Sequence, residues 1–140
     1  MIEFKGRFGQ RARRRLRTEK VVWLTTTGGD GTPQPRPVWF VWEERRGTLL
    51  IYSQRRKAKL RHLARSRRVA VHFNTDHAGD DVVVMTGRAR VDRRALPADR
   101  RPDYVRKYRS AIRDLGMTPA SFAKEYAVAI RLRPERLRGW

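Results

Sequence analysis

The sequence predicts a mainly β fold: six antiparallel strands closed into a small barrel, with helices at its rim. Three observations lead there. Short β-rich runs recur along the chain, separated by brief turns built on Gly, Asp and Pro. One helical stretch follows the third run, and a helical pair precedes the last. The run Gln34–Glu43 is apolar on both faces, with Pro35, Pro37, Trp39 and Val41 on one side and Val38, Phe40 and Trp42 on the other. A strand with one wet face would alternate with polar residues, so apolar or aromatic groups must cover both sides of this one.

The elements follow in order. Phe8–Lys20 reads as a basic helix with Phe8, Ala12 and Leu16 as its few apolar anchors, and its Arg13-Arg14-Arg15 run reads as a solvated face. Val21–Thr26 is the first strand, stopped at Gly28-Gly29-Asp30-Gly31, where Asp-Gly between two β-rich runs signals a hairpin. The glycines are no phosphate loop, because no Gly-Lys-Ser/Thr follows and the next element is a strand. Pro33, Pro35 and Pro37 cannot donate to a ladder and mark the second strand, Gln34–Glu43, as an edge. A turn at Glu44–Gly47 leads to strand three, Thr48–Ser53, and then to a helix from about Arg55 with Leu60, Leu63 and Ala64 on one stripe. Val69–Asn74 is strand four and Asp76–Asp80 a turn.

Asp81–Asp92 is strand five. It is wholly apolar at Val82–Met85 and alternating beyond, so its first half is covered by something besides the core, such as a second subunit or a ligand. Leu96–Leu115 reads as one helix ended by Gly116. Thr118-Pro119 opens a short second helix, with Thr as N-cap and Pro at its first position. Tyr126–Arg133 alternates as strand six and stops at Pro134.

With 140 residues and no linker or repeat, the chain reads as a single domain over 1–140. It has no cysteine, which removes disulfides, thiolate metal sites and a cysteine nucleophile. The first residues lack the apolar stretch of a signal peptide and no run of 18 apolar residues occurs, so a cytoplasmic protein without a membrane span is expected. Lys and Arg number 34 against 14 Asp and Glu, for a net charge of +20. Such charge is the footprint sought in nucleic-acid binders. Here the cations are spread along the whole chain and Arg far outnumbers Lys. The preferred reading is therefore an arginine-rich proteome plus an anionic small ligand, with nucleic acid second.

The hairpin shows where that ligand would sit. It delivers Ser53, Arg55, Arg56 and Lys57 to one point where a helix begins, and a helix N-terminus already favours anions. Guanidinium and ammonium groups added there suit a phosphate. Neither a catalytic triad nor a carboxylate pair is present, so no catalytic residue is assigned. His62 reads as solvated and His72 as structural. His77 lies near Asp76, Asp80 and Asp81 without metal-ligand spacing.

The same stretch resembles the pyridoxamine phosphate oxidase-like flavin-binding family, the split β-barrel proteins. The matching residues are Arg36 and Val38, then Tyr52-Ser53, then Arg55-Arg56-Lys57-Ala58, with Arg68-Val69-Ala70-Val71 and Gly87-Arg88-Ala89 further on. The resemblance covers roughly residues 21–91. It implies an FMN-binding split barrel and a homodimer with the cofactor groove between subunits. The cofactor ring would lie along Pro37, Val38, Trp39 and Phe40, near Arg36 and Tyr52, and the phosphate at Ser53, Arg55, Arg56 and Lys57. The family's Ser at the helix start is Arg55 here, and the oxidase's late substrate-binding Trp and Arg have no match beyond Trp140 as a candidate.

This pattern is similar to the short actinobacterial branch that uses coenzyme F420, with FMN as the alternative cofactor. The implied activity is hydride transfer between the reduced deazaflavin and a small organic substrate. Three other readings stand beside it: an FMN-dependent oxidoreductase of the same fold, a cofactor-storage or haem-binding protein, and a nucleic-acid module stacking bases on Trp39, Trp42 and Tyr52.

Overall fold

β-branched and aromatic residues form seven strands, one more than the six predicted, in the computed structural model, which describes residues 1–140. In chain order the elements are α1 (Gly6–Thr18), β1 (Val22–Thr27), β2 (Pro33–Val38), β3 (Val41–Glu43), β4 (Thr48–Ser53), α2 (Ala58–Arg65), β5 (Arg68–His72), β6 (Val83–Val91), a 3₁₀ turn (Ala98–Arg100), α3 (Pro102–Asp114), α4 (Pro119–Glu125) and β7 (Val128–Gly139). The strands make one antiparallel sheet in the order β2-β1-β5-β6-β7-β4-β3.

The extra strand comes from a break in the predicted run Gln34–Glu43. Its first part, β2, pairs with β1 at one edge of the sheet, and its second part, β3, pairs with β4 at the other. Only Trp39 and Phe40 lie between them, so the sheet must curl until its two edges nearly meet. The break has a physical cause. The Phe40 N–H donates to the Tyr108 hydroxyl at 2.8 Å, and the Phe40 carbonyl accepts from Lys107 Nζ at 2.8 Å. With both backbone groups satisfied by α3 side chains, Phe40 has none left for a ladder.

The two-sided burial read from this run is observed from Val38 onward, whereas Pro35 and Pro37, at the free edge of the sheet, are exposed. Val38, Phe40 and Trp42 face the barrel interior with Leu16, Leu24, Ile51, Phe73 and Met85. Trp39 and Val41 face a second core, in which Leu50, Tyr52 and Ala129 on the sheet's outer surface pack against Tyr104, Tyr108, Ile112 and Phe122. Every residue of β4 is buried because it lies between the two cores.

Other boundaries differ for local reasons. Pro134 does not end β7. It sits opposite Gly87, where the register with β6 shifts and Glu135 is passed over, and at such a bulge proline's missing donor is tolerated. A Cβ on Gly87 would collide with the Arg133 carbonyl, so the bulge requires glycine. The helix predicted from about Arg55 starts at Ala58, since Arg56 adopts a left-handed φ of 61° and Lys57 is an extended N-cap. The predicted helix Leu96–Leu115 divides, because α3 restarts with Pro102 in its first turn. Gly116 (φ 74°) ends α3, and Thr118 caps α4 in a reciprocal capping box with Ser121.

Arg15 is buried rather than solvated. Its guanidinium donates to the carbonyls of Asp81 and Asn74 at 2.8 Å each and lies over the Phe73 ring, which pins α1 to the turn before β6.

Candidate functional site

The crossover builds the site. With its backbone held by α3, residue 39 turns its side chain outward, and Trp39 stacks on Tyr108 (centroids 4.7 Å apart) and Phe122 (5.6 Å). Phe122 in turn stacks on Tyr126 at 4.4 Å. β4 ends beside this aromatic wall. The Tyr52 hydroxyl donates to the Leu96 carbonyl, Ser53 Oγ to the Gln54 carbonyl at 2.8 Å, and Gln54 Nε2 to Glu125 at 2.7 Å.

Between these elements lies a cavity of about 260 Å³, lined by Pro37, Val38, Trp39, Tyr52, Ser53, Gln54, Lys57, Lys59, Tyr104, Leu115, Phe122 and Tyr126. Two features show what it can hold. Tyr104 lines its wall, and the Tyr104 hydroxyl is fully buried with no hydrogen-bond partner, a costly state. Burial, then the neighbouring Tyr108, Tyr52 and Tyr126, push its pKa well above that of an ordinary phenol, so it is a donor at any physiological pH. At the other side, Lys57 and Lys59 form no ion pair. Burial, then the charges of Lys57 and Arg36, hold Lys59 below the usual lysine pKa, and an anion beside it would reverse that.

Of the residues singled out in the sequence, Pro37, Val38, Trp39, Tyr52, Ser53 and Lys57 line this one cavity. The others diverge. Arg36 is exposed, donates to the Pro35 carbonyl at 2.9 Å and reaches the site only through its field on Lys59. Phe40 is fully buried in the interior core beneath Lys107. Arg55 lines a neighbouring hollow of about 500 Å³ that shares Tyr52. Arg56 is exposed, and its carbonyl accepts from Arg61.

The left-handed turn at Arg56 explains why the three cations do not converge, and Lys59 takes the second cationic place. Lys59 was legible as a charged residue on the basic helix but not as one aimed inward. Tyr104 reads only as part of the helix Leu96–Leu115 and Tyr126 as the start of strand six, and Phe122, in the short helix opened at Thr118, carries no signal of its own. His62 is half-buried and bonded to Thr26 Oγ1 at 2.8 Å rather than solvated, while His72 stacks on Trp23 on the outer face. No helix is long and apolar enough to cross a membrane.

A family model described as pyridoxamine 5'-phosphate oxidase matches residues 8–140. No curated protein matches the chain. Among solved structures, one named F420 reductase is similar at 18% identity and a TM-score of 0.66, covering 90% of this chain and 94% of its own. A conserved hypothetical protein of Mycobacterium tuberculosis is similar at 17% identity and a TM-score of 0.74, covering 100% and 88%. A haem storage protein of Vibrio cholerae, HutZ, is similar at 14% identity and a TM-score of 0.61, covering 99% and 95%. At these identities the shared property is the fold.

Proposed function

The chain belongs to the pyridoxamine 5'-phosphate oxidase family, and from that premise we propose that it is an oxidoreductase that binds coenzyme F420, with FMN as the alternative, in the cavity beside Trp39. The observation that carries this reading is the pairing, in one cavity, of an unpartnered buried hydroxyl with two lysines that form no ion pair. A planar ring with polar edges and an anionic side arm matches both ends.

The bound cofactor would supply the hydride chemistry. The chain's part is placement. Trp39, Phe122 and Tyr126 wall the ring and exclude water. Tyr104 donates to an acceptor on its edge, while Lys57 and Lys59 hold the phosphate. The residues give no comparable signal for haem, since neither His62 nor His72 lines the cavity. The substrate is a small organic molecule entering from the open side.

A volume of about 260 Å³ falls below the roughly 300–1,000 Å³ of most complete ligand sites. A second copy of the chain, seated on the uncovered face of β1, β5 and β6, would complete it. There Trp23, His72 and Val84 are cross-strand neighbours, all only half-buried. Val84→Glu would place a charge in that seam, and we expect it to convert a dimer to a monomer by sedimentation and to weaken cofactor binding. A dimer that persists in this variant would place the contact elsewhere.

The central experiment is a fluorescence titration with F420 and with FMN. Lys57→Ala and Lys59→Ala should each cost about 1–3 kcal/mol of binding, the range for a lost charge-assisted hydrogen bond. Tyr104→Phe should weaken binding while leaving the free protein as stable as before or slightly more so, because it removes an unsatisfied hydroxyl. Unchanged affinity in all three would reject this cavity as the cofactor site.

A further inference from the structure

A third, larger concavity of about 650 Å³ adjoins the Arg55 hollow, sharing Val91, Asp92, Arg93, Ala95 and Leu96 with it, and is otherwise lined by Arg46, Arg90, Arg94, Arg101 and Arg131. None of the residues assigned to the cofactor lines it. Its six arginines are of two kinds. Arg131 and Arg101 are neutralised, bonded through their guanidinium edges to Glu43, Asp92 and Asp103. Arg46, Arg93 and Arg94 form no ion pair, and Arg90 has only Asp92 Oδ1 at 3.6 Å.

The loop that carries two of these free charges is fixed. The Asp92 N–H donates to the Ala129 carbonyl at 2.8 Å, Asp92 Oδ1 accepts from the Arg94 N–H at 3.0 Å, and the Leu96 carbonyl accepts from Tyr52. Arg46, Arg90, Arg93 and Arg94 are all exposed around one hollow, and the fixed loop backbone keeps the stems of Arg93 and Arg94 side by side. Several guanidinium groups on one rim suit an anion with several charges. The floor is different in kind: Val91, Ala95 and Leu96 give it an apolar strip, and Leu96 is 52% exposed.

We propose that this cavity is a second anion site that takes a small molecule with two or more phosphate groups on an apolar or aromatic body, such as a nucleoside polyphosphate. The free arginines hold the phosphates and the Leu96 strip carries the body. This site does not depend on which cofactor binds beside Trp39.

The test is calorimetric titration of the full chain at physiological salt with ATP, inorganic triphosphate and AMP. ATP should bind at one site per chain, at least tenfold more tightly than AMP, which has fewer charges, and more tightly than triphosphate, which has no body to rest on Leu96. The double variant Arg93→Ser/Arg94→Ser should weaken ATP tenfold or more, and Leu96→Ser should weaken ATP but not triphosphate. The control Arg7→Ser/Arg14→Ser removes the same charge from the exposed face of α1 and should leave affinity within twofold. No saturable binding would overturn the proposal. So would an equal loss in the α1 control, which would make the attraction diffuse. Loss in Lys57→Ala with retention in the Arg93/Arg94 variant would also overturn it, by moving the phosphate to the cofactor cavity.

Discussion

Tyr108→Phe is expected to lower the unfolding free energy by about 2–3 kcal/mol and to loosen cofactor binding at the same time, although Tyr108 lies behind the cavity wall and not in it. The hydroxyl accepts from the Phe40 N–H at 2.8 Å and donates to the Lys20 carbonyl at 2.7 Å. The Phe40 carbonyl also lies 2.8 Å from it but is served independently by Lys107. Without the oxygen, a fully buried N–H has no partner, and that alone costs about 1–3 kcal/mol. The Lys20 bond adds to this, since it ties the start of β1 to α3.

Phe40 is the residue at which the chain leaves one sheet edge for the other, so freeing its backbone lets the two-residue crossover relax. Trp39, stacked on the Tyr108 ring, moves with it. Urea unfolding should show the loss with an unchanged m-value, and cofactor titration should show weaker binding. Full stability in the variant would mean that Lys107 alone suffices to close the barrel.

Much of this was legible in the sequence, and the parts that were not share a reason. The turn at Asp30-Gly31, the cap at Thr118 and the stop at Gly116 are local, written within a few residues, and each is where the sequence places it. The two-sided character of Gln34–Glu43 was local as well, and its second half, Val38–Trp42, does lie between two cores, while Pro35 and Pro37 are exposed. What could not be read was the break within that run. It depends on Tyr108, 68 residues away, whose position on an apolar helical stripe gives no sign that its hydroxyl replaces a ladder partner.

The cationic corner shows the same limit. Arg55, Arg56 and Lys57 are adjacent in sequence, and adjacency suggested convergence. A single positive φ at Arg56 sends them three ways and gives the inward place to Lys59. Pro134 was misread because a bulge requires the partner strand's Gly87 to be known.

Arg131→Met should be the most damaging single change, at about 3–5 kcal/mol, and its penalty should shrink in acid. Arg131 is 7% exposed and bonded to Glu43 and Asp92, which are as buried as it is, so removing it takes the shared cation from two buried carboxylates and leaves Glu43 with Arg101 and Thr48 and Asp92 with the Arg94 N–H. The joint matters for the fold because Glu43 is the last residue of β3, the edge strand just beyond the crossover. Through Arg131 and Arg101 it fastens that edge to β7 and to the start of α3.

Burial works against the Glu43 charge, but hydrogen bonds from Arg131, Thr48 and Arg101 outweigh it and hold the carboxyl at about 2, below the ordinary 4.5. Between those values the unfolded chain binds a proton that the folded chain does not. The stabilisation is therefore complete above pH 4.5 and is lost as pH falls through about 2. Solvent at the Arg101 side screens the interaction, leaving about 2 kcal/mol of acid-sensitive stability from this one group. In Arg131→Met the carboxyl loses its main partner and takes up a proton readily. Acid then relieves the buried charge in the variant while it weakens the wild type, and the two unfolding curves should approach each other from pH 7 to pH 3. A penalty of the same size at both pH values would show that the arginine stem's packing, and not its charge, holds the β3 edge in place.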